Sequence, residues 1–419
     1  MNRTEVLFVD DDTNVLNGLR RMLYSQRDRW HMHFAVGGGE AIQLMQNNAF
    51  DVVISDMRMP VHDGVAVLKA AKEYSPAALR CVLSGQSDRE QAYRVLETAH
   101  QFISKPCDVK ALESVILKAQ ALKAKLPPND VKVMVTSLSN LPVIEKNYAR
   151  FMEEIQKDRP SIDVLAEVVA SDIALTTKVL QLVASSFFGQ PSKIACPRTA
   201  TKLLGVELLT ELAIHRKVFR PFRGEQLGTF SIEDLTEHSL DVARCAKAIA
   251  LYETGDIQIA EAAYLAGMLH DVGKLVLADQ AAEAYSSAVE LSMAMNTTLW
   301  ESETHVFGTS HAEIGSYLLA LWGLPSSVID AVSCYRQPSE CNYDHFDAVT
   351  AVHVANLLRR RSYAVRLPEQ DLLYASEHLV KTGLASHIPQ WCETIRSVVN
   401  SNATSSNPSH SSAHSAGAC

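Results

Sequence analysis

Five short apolar runs, EVLFV, MHFAV, DVVIS, RCVLS and QFIS, recur through the first 120 residues with helical patterns between them. Strands that read as near-continuous apolar runs are buried on both faces, which is the condition of a parallel sheet covered by helices. Val15, Leu16, Leu19, Met22 and Leu23 fall at helical spacing, as do Ala41, Ile42, Leu44 and Met45. The pattern predicts five βα units, an α/β doubly wound five-stranded parallel sheet. The last of its helices carries Leu112, Val115, Ile116, Ala119 and Leu122 on one stripe before Pro127-Pro128. Proline ends it, because it lacks the amide hydrogen and restricts its predecessor.

Past the prolines the period changes. Helical spacing persists in SIDVLAEVVASD, IALTTKVLQLVASSF, LTEHSLDVARCAKAIALY and HAEIGSYLLALW, and no strand series interrupts it, so this part is expected to be all-α. The predicted divisions are 1–124, a linker at 125–130, a helical domain at 131–345, its C-terminal helical part at 346–400, and a tail at 401–419. The tail is rich in small polar residues and is expected to be disordered; its His410 and His414 are read as tail residues rather than a metal site.

Hydrophobic residues at 47% and charged residues at 21% match a soluble globular chain, and 419 residues favour two or three domains. No apolar run approaches the roughly 20 residues that span a bilayer, and MNRTEVLFVDDD puts acids where a signal peptide would continue, so a cytoplasmic location is expected. Eight cysteines stand singly without CxxC pairs, which predicts reduced thiols rather than a zinc ribbon or disulfide framework. The net charge of −9 opposes nucleic acid. Arg216, Lys217, Arg220 and Arg223, like Arg359 to Arg361, read as solvated surface, and without a helix-turn-helix signature no direct DNA binding is expected.

Open parallel sheets place ligands at the carboxyl ends of their strands. Asp10 and Asp11 follow the first run, Asp56 the third, Ser84 closes the fourth and Lys105 follows the fifth. One aspartate at a strand end commonly just caps a helix. Three gathered together repel one another unless a cation stands between them, and an all-oxygen site that keeps waters suits Mg2+. Asp56 is then a candidate phosphoryl acceptor, Lys105 a partner for the incoming charge, and Ser84 a hydrogen-bond donor to the product.

The segments VDDD, ISDMRMPVHDG, VLSG and ISKP resemble the receiver domain of bacterial response regulators, over residues 4 to about 122. The resemblance implies phosphorylation of Asp56, with Asp56, Ser84 and Lys105 as the reacting set. It further implies Mg2+ held by Asp10, Asp11, Asp56 and the backbone carbonyl of Arg58. Phe102 is then the aromatic that turns inward with the Ser84 loop, and Lys105–Pro106 is expected to be cis, a form that X-Pro bonds adopt at low cost.

In the helical half, GMLHDVGKL sets His270 beside Asp271, followed by Gly273 and Lys274, and other helices carry His238, His311 and His353. Adjacent His and Asp can share a metal, although a single helical histidine is more often an ordinary hydrogen-bonded residue. SDIALTTKVLQLVASSFFG, KLLGVELL, EHSLDVA, GMLHDVGKL, HAEIGSYLLALWGLP and AVHVANLL resemble the HD superfamily, and more closely its HDOD branch, over roughly 131–357. An HD phosphohydrolase would use His238, His270, Asp271 and a later aspartate, whose position holds Asn356. The paired histidines and GYP segment of cyclic-di-GMP phosphodiesterases are absent at AVSCYRQPSE, and Ala184 stands where HDOD domains commonly carry asparagine. His238, His270, Asp271, Lys274, His311 and Asn356 are thus expected to be a vestigial HD site with, at most, a divalent metal.

The expected function is that of a two-component response regulator rather than an enzyme. A sensor histidine kinase or phosphotransfer protein phosphorylates Asp56, and the helical output module binds a downstream signalling protein in cyclic-di-GMP, motility, biofilm or stress pathways. The resemblance leaves a homodimer open. The alternative is a receiver-gated, metal-dependent HD phosphohydrolase or phosphodiesterase.

Overall fold

The run EVLFV lies in β1 (Thr4–Asp10), where Val6 to Val9 are fully buried, as expected of a strand covered on both faces. With β2 (Trp30–Val36), β3 (Val52–Asp56), β4 (Leu79–Ser84) and β5 (Gln101–Ser104) it forms a parallel sheet in the order β2-β1-β3-β4-β5. The computed structural model describes residues 3–405 apart from 86–97, 126–128, 185–194, 215–217, 223–230, 342–344 and 360–375. Pro127-Pro128 therefore lie outside the described residues.

The strand order reverses between β1 and β3, so their carboxyl ends open a crevice at the topological switch point. Helices α1 (Thr13–Met22), α2 (Gly38–Asn47), α3 (Gly64–Tyr74) and α4 (Val109–Lys125) follow β1, β2, β3 and β5, while the helix expected after β4 falls in 86–97, outside the described residues. Asp12 caps α1 by accepting the Asn14 N–H at 2.8 Å, while Leu16 and Leu19 turn into the core. Leu112, Val115, Ile116 and Ala119 of α4 are buried as their spacing predicts.

The second half begins with α5 (Asn129–Thr136), α6 (Glu145–Ile155), α7 (Ile162–Val169), α8 (Ile173–Ala184) and α9 (Pro197–Ile214), the last kinked at Gly205. Next come α10 (Ile232–Thr254), α11 (Ile257–Leu269), α12 (Val272–Gln280), α13 (Ala282–Met295) and α14 (Leu299–Phe307). The bundle closes with α15 (His311–Leu321), α16 (Ser326–Cys334), α17 (Ala348–Arg359), α18 (Glu377–Lys381) and α19 (Ile388–Ser405).

Three expectations need correction. The helical half also holds a small parallel pair, β6 (Pro142–Val143) with β7 (Arg220–Pro221), too short to leave a strand period in the sequence. Cys334 and Cys341 are disulfide-bonded, because a short turn at Pro338–Cys341 folds back on the end of α16; Cys81, Cys107, Cys196, Cys245 and Cys392 are free. Finally, α19 runs to Ser405, so residues 401–405 are helical, since extending an existing helix avoids the cost of nucleation. The rest of the tail, with His410 and His414, lies outside the described residues.

The described members of the two basic clusters are paired: Arg220 with Asn140 and Asp279, and Arg359 with Asp241. Arg216, Lys217, Arg223, Arg360 and Arg361 lie outside the described residues.

The two halves are joined by buried polar contacts. Arg80, inside the apolar β4, donates to the carbonyls of Thr98 at 2.7 Å and Thr136 at 2.6 Å. Gln101, at the start of β5, donates to Ala320 and Leu321 at the end of α15, at 3.2 and 2.9 Å, and Gln181 of α8 donates to the His100 carbonyl at 3.2 Å. Burial holds the His100 imidazole well below its usual range, with the Arg80 charge acting the same way. His100 is accordingly neutral: Nδ1 accepts the Arg80 N–H, and Nε2 donates to Thr136.

Candidate functional site

At the carboxyl ends of β1 and β3, carboxylate oxygens of Asp10, Asp11 and Asp56 lie within 4.8 Å of one another. Lys105, just past β5, places Nζ 2.8 Å from Asp10 Oδ2 and 2.7 Å from Asp56 Oδ1. Asp10 and Asp56 are buried and Asp11 is exposed, so the cluster opens to solvent on one side. Burial pushes the Asp56 carboxyl up, and Asp10 adds to this against the Lys105 hydrogen bond and charge. Burial works to lower Lys105, but its bonds to Asp10 and Asp56 outweigh this and raise it, so the ammonium persists.

Backbone contacts fix these groups. The Lys105 N–H donates to the Ser84 carbonyl at 2.8 Å, and the Lys105–Pro106 bond is cis, as expected. Ser84 is buried, and its hydroxyl donates only weakly to the Gly85 carbonyl, at 3.4 Å. Gly64 opens α3 directly against the end of β3: a Cβ there would lie 2.5 Å from the Asp56 carbonyl oxygen, so a residue without a side chain is needed. Arg58 lies two residues past Asp56, in the loop after β3, and Phe102 is buried on β5. Three converging carboxylates form an all-oxygen donor set, which fits Mg2+.

In the helical half, α11 ends at Leu269 and α12 begins at Val272, so the turn between two buried helices carries His270 and Asp271. His238 of α10 joins them, with one ligand atom from each of the three within 4.8 Å of the others. The His270 Nδ1–H donates to the Gly267 carbonyl at 2.7 Å, leaving an Nε2 lone pair that has no hydrogen-bond partner among the described residues. Burial pushes His270 down to about 4, against the pull of Asp271, and so keeps it neutral. A neutral imidazole oriented through Nδ1 with a bare Nε2 has the form of a metal ligand.

The surrounding groups differ from those of a full metal centre. Asp271 carries the charge of Lys274, whose Nζ is 2.7 Å from Oδ2, and its Oδ1 accepts the Tyr335 hydroxyl at 3.0 Å. His311 Nε2 stands 2.8 Å from that hydroxyl and 3.3 Å from Asp271 Oδ1, while its Nδ1 is paired with the buried Glu303. Asn356 places Oδ1 3.3 Å from His238 Nε2. His353 is directed elsewhere, to the Tyr335 carbonyl at 2.7 Å and Ser376 at 2.8 Å. The donor set is thus two imidazoles and one carboxylate already shared with a lysine. Gly273 permits the arrangement, because a Cβ there would lie 1.9 Å from the His311 carbonyl oxygen.

Comparison with known proteins agrees with both halves. Residues 6–117 match the response regulator receiver domain, and residues 141–338 match the HDOD domain. Among curated relatives, the transcriptional regulatory protein ZraR of Escherichia coli is 26% identical over 60% of this chain and 54% of its own length. PrrA of Mycobacterium tuberculosis is 34% identical over 28% of this chain and 48% of its own length. The chain spans about half the length of these curated relatives. Among solved structures, the MmoQ response regulator of Methylococcus capsulatus covers 59% of this chain and 93% of its own, at 23% identity and a TM-score of 0.44. The receiver domain of an HD domain-containing protein from Pseudomonas fluorescens covers 30% and 96%, at 26% identity and a TM-score of 0.28.

The fold and the acidic pocket are those of a receiver protein. The chain belongs to the bacterial response regulators that join an N-terminal receiver domain to an HDOD domain.

Proposed function

We propose that Asp56 accepts a phosphoryl group from a histidine kinase or phosphotransfer protein, and that this controls how the HDOD module binds a downstream signalling protein. The observation that carries this reading is Lys105, which bridges Asp10 and Asp56 in a pocket of three carboxylates. A carboxylate oxygen of Asp56 attacks phosphorus as the donor's bond to it breaks, giving an acyl phosphate. Mg2+, held by Asp10, Asp11, Asp56 and the Arg58 carbonyl, would supply charge neutralisation. Lys105 then pairs with the transferred group, and the Ser84 hydroxyl leaves its 3.4 Å contact with Gly85 to donate to it.

The Ser84 and Phe102 strands lead to the HDOD side through Arg80, His100 and Gln101, and phosphate biases this existing contact rather than building a new one. We place the domain boundary between 124 and 131 and the protein in the cytoplasm; among the described residues no helix is long and apolar enough to cross a membrane. A partner in cyclic-di-GMP, motility, biofilm or stress signalling suits such an output module, as does a second copy of the chain. Hydrogen exchange with and without phosphodonor tests the reading: protection should change in 98–125 and also beyond residue 131, and changes confined to the receiver would refute transmission.

A metal-dependent HD phosphohydrolase is the second reading, supported by the bare His270 Nε2. Lowering the pKa of a bound water needs a firmly held cation with open positions. Lys274 on Asp271 and Asn356 in place of a carboxylate reduce both charge and ligand number. We therefore assign HDOD a binding role. Turnover of cyclic dinucleotides or nucleotides by metal-loaded protein, abolished by His270→Ala with Asp271→Ala, would reverse that assignment.

A further inference from the structure

A third cluster of ligand-type side chains lies at the other end of the receiver sheet. Glu5 in β1 is the register partner of His31 in β2, and His33 follows two residues later. Strand side chains alternate between faces, so His31 and His33 share a face, and the in-register Glu5 shares it with them. His31 Nδ1 is 3.0 Å from Glu5 Oε1, and His33 Nε2 is 2.9 Å from Oε2, with the imidazole rings 4.5 Å apart. One ligand atom from each residue lies within 4.8 Å of the others.

This cluster is held in place yet accessible. The Glu5 N–H donates to Asp51 Oδ2 at 2.9 Å, its carbonyl accepts the Asp51 N–H at 2.9 Å, and the Phe50 ring packs edgewise on His33 at 5.1 Å. On the outside, β2 is an edge strand, and the His31 side chain is 58% exposed. An ion can reach the ligands without any movement of the core.

Two imidazoles and a carboxylate favour a d-block cation, whereas Mg2+ prefers an all-oxygen shell. In a tetrahedral zinc site with bonds of about 2.0–2.1 Å, adjacent ligand atoms stand about 3.3 Å apart. The contacts at 3.0 and 2.9 Å, one to each Glu5 oxygen, hold each histidine close to that spacing from the carboxylate, and one ligand atom from each of the three residues lies within 4.8 Å of the others. Glu5 is also separated from Asp10 by about 17 Å of strand, at about 3.3 Å per residue, so occupancy here leaves the acidic pocket untouched.

We propose that Glu5, His31 and His33 form a second metal site, which takes Zn2+ or a similar d-block divalent ion through three protein ligands and leaves the fourth position to water. The test uses full-length protein stripped with chelator and titrated with Co2+, followed by its visible d–d bands and their loss when Zn2+ is added. One equivalent should bind in the wild type. His31→Gln and His33→Gln should each weaken it at least about tenfold. The pair His238→Gln with His270→Gln, and the pair His410→Ser with His414→Ser, should retain it. Labelling of Asp56 by a small phosphodonor with Mg2+ reports that the His31 and His33 variants remain folded. No bands in the wild type, bands unchanged in those variants, or bands lost only with His238 and His270 or with His410 and His414 would each overturn the proposal.

Discussion

His270 should make the protein sensitive to acid, with a sign and size that follow from its burial. Its ordinary value of 6.5 falls to about 4 in the folded chain because burial penalises the imidazolium. The unfolded chain therefore takes up the proton first as pH falls. The stabilising difference is complete above the unfolded value and is lost progressively between 6.5 and about 4. At about 1.4 kcal/mol per pH unit, this one group removes about 3 kcal/mol across the window. His100 and His378 are shifted in the same direction, so the wild-type profile is steeper than one histidine alone would give. Urea unfolding of wild type and His270→Gln, with chelator, from about pH 7.5 to about pH 4.5 isolates the contribution. The variant is less stable at neutral pH, but its slope should be shallower by about 1.4 kcal/mol per pH unit. Parallel profiles would refute a neutral, buried His270.

Gly273→Ala should cost about 3 kcal/mol or more by forcing α12 away from α15, since the new Cβ would meet the His311 carbonyl at 1.9 Å; urea midpoints measure it, and a change within error would contradict the packing. Arg80→Met removes the donor from the Thr98 and Thr136 carbonyls and should cost about 3 kcal/mol by the same measurement, while an unchanged midpoint would show that the contact contributes little. Lys105→Ala leaves Asp10 and Asp56 without their shared cation and should slow labelling of Asp56 by small phosphodonors; labelling at the wild-type rate would remove Lys105 from the reacting set.

The receiver sheet and its pocket were legible because each part carries a local signature. Apolar runs such as EVLFV mark strands covered on both faces, and the acids, serine and lysine stand immediately after their runs, where chain direction delivers them to one edge. The pairing of His270 with Asp271 and the approach of His238 were likewise suggested by the HD segments. Residues acting through distant partners were not visible. Gln101 bonds carbonyls 219 and 220 residues away, and no local pattern encodes that. Arg80 did leave a trace, as the one cation in an otherwise apolar strand run, a placement that calls for buried acceptors. Nothing in the sequence around Glu303 or Tyr335 marks their partners, and only the fold turns them onto His311 and Asp271. Glu5, His31 and His33 were missed because their meeting depends on the register of β1 against β2.

The role of Asp56 is tested most directly by intact-mass measurement after incubation with a small phosphodonor and Mg2+. The account predicts a single added phosphoryl group on the wild type, reversed by hydroxylamine as an acyl phosphate should be, and none on Asp56→Asn. Equal labelling of the two proteins, or no labelling of the wild type, would contradict it.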